Sequence, residues 1–277
     1  MKNVFLLLCC LSIFSSSVIY AQDIKYTTVK DILYRPNSSD EYQKSLCRLD
    51  INYPDQKGFP TIIWLHSGGL AHGDKSFPTY TESHGLGVVT VNYRLCPKVK
   101  VKDCIEDAAA AVAWVVRHIQ EYGGDPKKIF ISGASAGGYL TNMIGLDKRW
   151  LKPYGIDPDT TFVAMIPYSG QSITHFARRK EMGYKFNQPF VDDMAPMFHV
   201  RPDCVPILIL SGDRELEMSG RYEENAYFYR MLKVVGHKDV QIKEFDGFSH
   251  NNMDYPANFV AIQYILERIK AMDKNKK

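Results

Sequence analysis

The sequence predicts an α/β fold: a mostly parallel central β-sheet flanked by helices on both faces. Short continuous apolar runs recur along the chain, at 61–65, 88–91, 129–131, 162–166 and 207–210. Strands covered on both faces of a parallel sheet read this way. Stretches of helical period lie between those runs, and such alternation defines the class. With no internal repeat, low-complexity block or linker, a single domain over residues 22–277 is expected.

Taken in order, residues 23–53 have β character, and Cys47, Leu49, Ile51 and Tyr53 alternate with polar neighbours as on a half-buried strand. After the runs at 61–65 and 88–91, Ile105, Ala109, Val112, Val116 and Ile119 recur at helical spacing. Asp103-x-x-Glu106 reads as a capping box at the start of that helix. Gly123-Gly124-Asp125-Pro126 stops it. The run at 129–131 leads through a Gly/Ser-rich turn into another helical stretch. Between the runs at 162–166 and 207–210, the segment 171–200 reads as a small cap or loop insertion. A helix over 221–235, a strand over 240–245 and a helix from near Pro256 complete the chain. The last helix carries Phe259, Ile262, Leu266 and Ile269 on one face.

The 277 residues are 45% hydrophobic and 23% charged, which excludes bulk disorder, collagen and a multi-span membrane protein. Thirty-four basic residues face 31 acidic ones, a net of +3, and the basic ones are scattered. That balance argues against a nucleic-acid partner, and the run at 270–277 reads as a solvated tail. At the N-terminus, Lys2 precedes an apolar stretch over 4–14, then Ser15 to Ser17 and Ile19-Tyr20-Ala21. This is the layout of a secretory signal over 1–21. The stretch is shorter than the ~20 residues of a membrane span; lipid attachment through Cys9 or Cys10 is the rival. The expected location is periplasmic or secreted. Cys47, Cys96, Cys104 and Cys204 would then meet an oxidising compartment. The short turn around Pro97 suggests a Cys96–Cys104 disulfide, leaving Cys47 with Cys204. With no C-x-x-C pair, no metal site is expected, and no cofactor is needed.

Ligands of open parallel sheets bind at the carboxyl ends of the strands, so the loops there are where chemistry is sought. After 129–131 comes Gly133-Ala134-Ser135-Ala136-Gly137, a G-x-S-x-G motif between strand and helix. That turn lifts a serine nucleophile to the top of a sheet. After 61–65 comes His66-Ser67-Gly68-Gly69, whose backbone N–H groups can face an oxyanion. No G-K-[ST] follows, so a P-loop is excluded. The loop after 207–210 holds Asp213, Glu215 and Glu217, and His250 follows the last strand. Ser135, an acid near 215 and His250, in that order, each just past a strand, form the order of a Ser–acid–His triad.

These residues resemble the α/β-hydrolase superfamily, close to the hormone-sensitive-lipase-like esterases and secreted carbohydrate esterases. Val91-Asn92-Tyr93-Arg94-Leu95-Cys96-Pro97 is similar to that group's V-x-Y-R-L-x-P segment. Gly124-Asp125-Pro126, Ser135-Ala136-Gly137-Gly138 and Ala195-Pro196 match as well. The resemblance covers 44–270. It implies the α/β-hydrolase fold and a serine esterase. Gly68 and Gly69, with Ala136 beside the nucleophile, would form the oxyanion hole. There are two departures: His66-Ser67-Gly68-Gly69 stands where the group has H-G-G-G, and G-D-R-E where it has G-D-x-D. The second acid of that pattern falls on Glu215, with Asp213 and Glu217 as rivals.

The expected reaction is hydrolysis of short-acyl or aromatic carboxylic esters, on a small molecule or an oligosaccharide. Mixed aromatic and basic residues in 171–200 suit a sugar better than a long acyl chain. Two alternatives stand beside it: a serine peptidase of the same fold, anchored through Arg178 or Arg179, and a non-catalytic hydrolase-like binding module.

Overall fold

The computed structural model describes residues 24–79, 84–218 and 220–274. The expected leader, 1–21, lies outside them. In chain order the elements are β1 (Tyr26–Leu33), α1 (Glu41–Leu46), β2 (Arg48–Pro54), β3 (Phe59–Leu65), β4 (Gly87–Val91) and α2 (Val101–His118). Next come β5 (Gly124–Ala134), α3 (Ala136–Leu146), α4 (Pro158–Thr161), β6 (Phe162–Tyr168) and α5 (Phe176–Glu181). The chain closes with β7 (Ile207–Gly212), α6 (Arg221–Val234), β8 (Val240–Phe245) and α7 (Asp254–Lys274).

All eight strands join one sheet in the order β1-β2-β4-β3-β5-β6-β7-β8. β2 runs antiparallel to both its neighbours, and every other pairing is parallel. The apolar runs are the central strands, and each buries alternate residues on opposite faces. Ile63, Leu65, Ile131 and Ile209 pack with α2, α3 and α6 on one side. Ile62, Trp64, Phe130, Leu208 and Leu210 pack with α7 on the other. Two apolar cores thus sandwich the sheet. Among the described residues, no helix is long and apolar enough to cross a membrane.

Several local expectations are corrected. The region before 53 is not all strand: α1 interrupts it, with the Asp40 carboxylate accepting from the N–H groups of Tyr42 and Gln43. β2 is buried on both faces rather than half-buried. Its polar residues sit inside because each finds a partner. Asp50 pairs with Lys75 at 2.9 Å, and Asn52 donates to Thr28 Oγ1. The proposed capping box is displaced: α2 starts at Val101, and the Asp103 carboxylate, in the first turn, accepts from Lys100 N–H. Glu106 pairs instead with Lys102.

The disulfide expectation is corrected too. All four cysteines among the described residues are buried and free. The Cys96 and Cys104 sulfurs lie 3.8 Å apart as thiols. Cys47 precedes β2 and Cys204 precedes β7, five strand spacings away, or about 24 Å at ~4.8 Å each. That is far beyond the ~7 Å limit for bridged Cα atoms.

Candidate active site

Ser135 sits between β5 and α3 with φ 53° and ψ −109°. This is strained backbone for a residue with a side chain, and it points the hydroxyl away from the sheet. The turn closes only because its glycines have no Cβ. A Cβ on Gly137 would lie 1.9 Å from the Leu65 carbonyl oxygen, and one on Gly133 would lie 2.6 Å from it. Ser135 N–H donates to the Tyr168 carbonyl, tying the turn to the end of β6.

His250 lies in the loop between β8 and α7. Its Nε2 is 3.0 Å from Ser135 Oγ, and its Nδ1 is 2.7 Å from an oxygen of Glu217. The acid at the histidine is therefore Glu217, which corrects the expectation of Glu215. The reason is the shape of the loop. The Asp213 carbonyl accepts from the N–H groups of both Leu216 and Glu217, so the chain makes one helical turn. Position 217 swings back over the end of β7 while Glu215 faces solvent. Asp213 holds the turn together: its carboxylate accepts from Glu215 N–H and, 2.7 Å away, from Gly247 N–H. It thereby ties the acid loop to the histidine loop.

The Glu217 side chain is fully buried. Burial works against its charge, but the His250 contact, the Ser169 hydroxyl and the Gly212 N–H outweigh it, and its pKa lies below the ordinary glutamate value. One oxygen faces Gly212 N–H and Ser169 Oγ; the other faces His250 Nδ1 and Met218 N–H. A charged carboxylate there requires the proton on Nδ1 of a neutral imidazole. Nε2 is then bare toward Ser135.

Gly68 and Gly69 line the cleft with Ser135, with φ of 111° and 61°. A Cβ on Gly68 would lie 1.9 Å from the His72 carbonyl oxygen, and one on Gly69 would lie 2.7 Å from the Phe176 ring. The loop rests on His66, whose ring stacks on Tyr93 at 4.2 Å and whose Nδ1 lies 2.6 Å from the Ser67 carbonyl. Burial holds the His66 pKa below its usual value, so it is a neutral prop. Ala136 opens α3, where a backbone N–H has no intrahelical acceptor.

The cleft holds about 390 Å³. Phe176, Met218 and Met253 give it apolar walls, and His72, Asn251 and Asp254 give it polar ones. Phe176 belongs to α5 and packs on Phe186 at 5.1 Å, so the 171–200 insertion forms one side of the cleft. Arg178 and Arg179 do not line it. Arg178 pairs with Glu181 and Asp192, and Arg179 donates to the carbonyls of Thr174 and Phe186. Neither supplies the cationic anchor that the peptidase alternative requires.

An eight-stranded sheet with one reversed strand, a serine on the turn after β5, an acid after β7 and a histidine after β8 form one known arrangement. By fold, this chain is an α/β-hydrolase. Residues 49–159 match the model of the BD-FAE family. The α/β-hydrolase is similar in structure to esterase B from Lactobacillus rhamnosis in an inhibited form. The TM-score is 0.73, with 19% identity over 91% of this chain and 90% of that one. A truncated carbohydrate esterase from gut microbiota aligns with a TM-score of 0.69 and 17% identity over 87% of this chain and 96% of that one. Among sequence relatives, esterase LipQ of Mycobacterium tuberculosis is 28% identical over 79% of this chain and 56% of its own length. From the same organism, the protein named "Probable carboxylic ester hydrolase LipM" is 30% identical over 55% of this chain and 40% of its own length. The chain thus spans about half the length of the curated relatives it matches.

One residue in contact with the acid–histidine pair escaped the sequence. Ser169 lies beside both Glu217 and His250, in a turn without a motif. Phe176 walls the cleft from the insertion, where it was one aromatic among several. Glu217 was visible only as a rival to Glu215.

Proposed function

We propose that this α/β-hydrolase is an exported serine esterase that cleaves short-acyl or aromatic carboxylic esters carried on carbohydrates. The observation that carries the esterase reading is the continuous line from Ser135 Oγ through His250 to the buried Glu217. His250 Nε2 takes the Ser135 proton as the oxygen attacks the ester carbonyl. Glu217 fixes the tautomer and stabilises the imidazolium that forms. The N–H groups of Gly68, Gly69 and Ala136 receive the developing oxyanion, each donor worth ~10²–10³ in rate when removed. His250 then protonates the leaving alcohol and activates the water that releases the acid.

The carbohydrate part rests on the cleft and on the fold. The cleft is small, with Asn251 and Asp254 at its edge to meet hydroxyl groups. The fold aligns with a carbohydrate esterase from gut microbiota. Export rests on the leader-like residues 1–21.

A fluorophosphonate probe tests the first part: it should label Ser135 in the wild type and nothing in Ser135→Ala, whose kcat should fall by ~10⁶. Absence of labelling would return the chain to a binding role. A series of p-nitrophenyl esters tests the second. Each CH₂ buried in a true lipid site adds ~0.8 kcal/mol, so a lipase would gain steeply with acyl length. The expected result is kcat/KM highest from acetyl to butyryl, with acetate or ferulate released from plant oligosaccharides. Preference for decanoyl esters without such release would remove the carbohydrate reading alone.

A further inference from the structure

We propose that Ser169 is a positioning residue for the acid–histidine pair, holding Glu217 in the orientation that keeps the Nε2 of His250 bare toward the nucleophile. This rests on the serine-esterase reading. Ser169 is the first residue past β6 and is 1% exposed. Its Oγ lies 2.5 Å from Glu217 Oε1 and 3.1 Å from His250 Nδ1. It is thus in contact with both members of the pair.

The proton count decides what this hydroxyl does. Nδ1 carries a proton directed at Glu217 Oε2 and cannot accept another. The Ser169 hydroxyl therefore donates to Glu217 Oε1, leaving its lone pairs toward Nδ1–H. Each carboxylate oxygen then has two partners, and the planar group cannot rotate without losing two of them. Without Ser169, Oε1 keeps only the Gly212 N–H at 3.0 Å, and the carboxylate is held less firmly in line with Nδ1.

The backbone at Ser169 supports a purpose for the side chain. Its φ is 45°, a region that glycine occupies without strain. A serine there carries a cost that its hydroxyl must offset. The residue is clamped on both sides: its N–H donates to the Leu210 carbonyl, and its carbonyl accepts from the guanidinium of buried Arg221.

Ser169→Gly and Ser169→Ala separate this role from a merely structural one. Both delete the hydroxyl, but only glycine suits the φ. Hydrogen bonds to charged groups are worth enough that kcat should fall by about 10- to 100-fold in both variants, with KM within about twofold. Ser169→Gly should melt higher than Ser169→Ala, because both lose the same hydrogen bond and only glycine relieves the strain at this φ. Retention of kcat within threefold by either variant, or a loss carried by KM, would overturn the positioning role. Ser135→Ala, assayed alongside, separates the two readings. If it is inactive while Ser169→Gly is fully active, only the positioning role fails; if it keeps its activity, the triad fails and the positioning role with it.

Discussion

Glu217 keeps its charge in a place where burial alone would remove it. Its pKa is below the ordinary value of 4.5 because His250, Ser169 and Gly212 favour the ionised form. A depressed carboxylate pKa contributes stability above the unfolded value, and that contribution is lost as pH falls through the lower folded value. The melting temperatures of wild type and Glu217→Gln should therefore differ most above pH 5 and converge as pH falls toward 3. A gap that widens on acidification would contradict the assignment of a charged acid. At neutral pH, Glu217→Gln should lower kcat by up to ~10⁴ through the wrong imidazole tautomer. Glu215→Gln, at an exposed site, should leave kcat and melting temperature unchanged. Matched kinetics on the two variants decide between the acids.

At the scale of elements, the turn between β5 and α3 shows how packing overrides propensity. Alanine is a better helix former than glycine by about 1 kcal/mol, so Gly137 looks like a site to improve. Its missing Cβ, however, is the space taken by the Leu65 carbonyl of β3. Gly137→Ala should lower the melting temperature by about 5–10 °C, the range expected when overpacking costs a few kcal/mol. Activity should fall with it, because the same turn aims Ser135. A thermal melt that rises would mean that β3 and α3 can separate without cost. The start of α7 shows the opposite case. Pro256 lies two residues past Asp254, in the first turn, where its missing N–H has no intrahelical acceptor to lose.

On the scale of the whole molecule, the fold needs no covalent staple. The sheet is covered by apolar side chains on both faces, and the four cysteines among the described residues are interior thiols. Burial pushes the Cys47 and Cys204 thiols up to about 12, so they stay protonated. Thiol titration of a chain spanning residues 22–277 should find no reactive thiol in the native state and four after unfolding. A reducing agent should leave the melting temperature within about 1 °C, whereas losing a native disulfide typically costs 2–5 kcal/mol. A bonded Cys96–Cys104 peptide in non-reduced maps would overturn this.

How much of this was legible beforehand follows from the range over which each signal acts. The central strands were readable because burial on both faces writes itself into consecutive residues, as in Thr61–Leu65 and Ile207–Leu210. Ser135 and His250 were readable because the chemistry needs them at loop positions that the strand order fixes. Buried polar groups were not: β2 looked half-buried because Lys75, the partner of Asp50, lies 25 residues away. The acid was left open among three residues because an eight-residue loop can aim any of them, and only its helical turn onto β7 selects Glu217. Ser169 was invisible for a related reason. Its role exists only where the ends of β6, β7 and β8 converge, and those strands are neighbours in space but not in the chain. The sequence by itself determined the class of fold and the loop positions of Ser135 and His250, because local pattern and motif spacing encode them. The tertiary structure alone decided the acid, its serine prop and the state of the cysteines, because each depends on distances between segments remote in sequence.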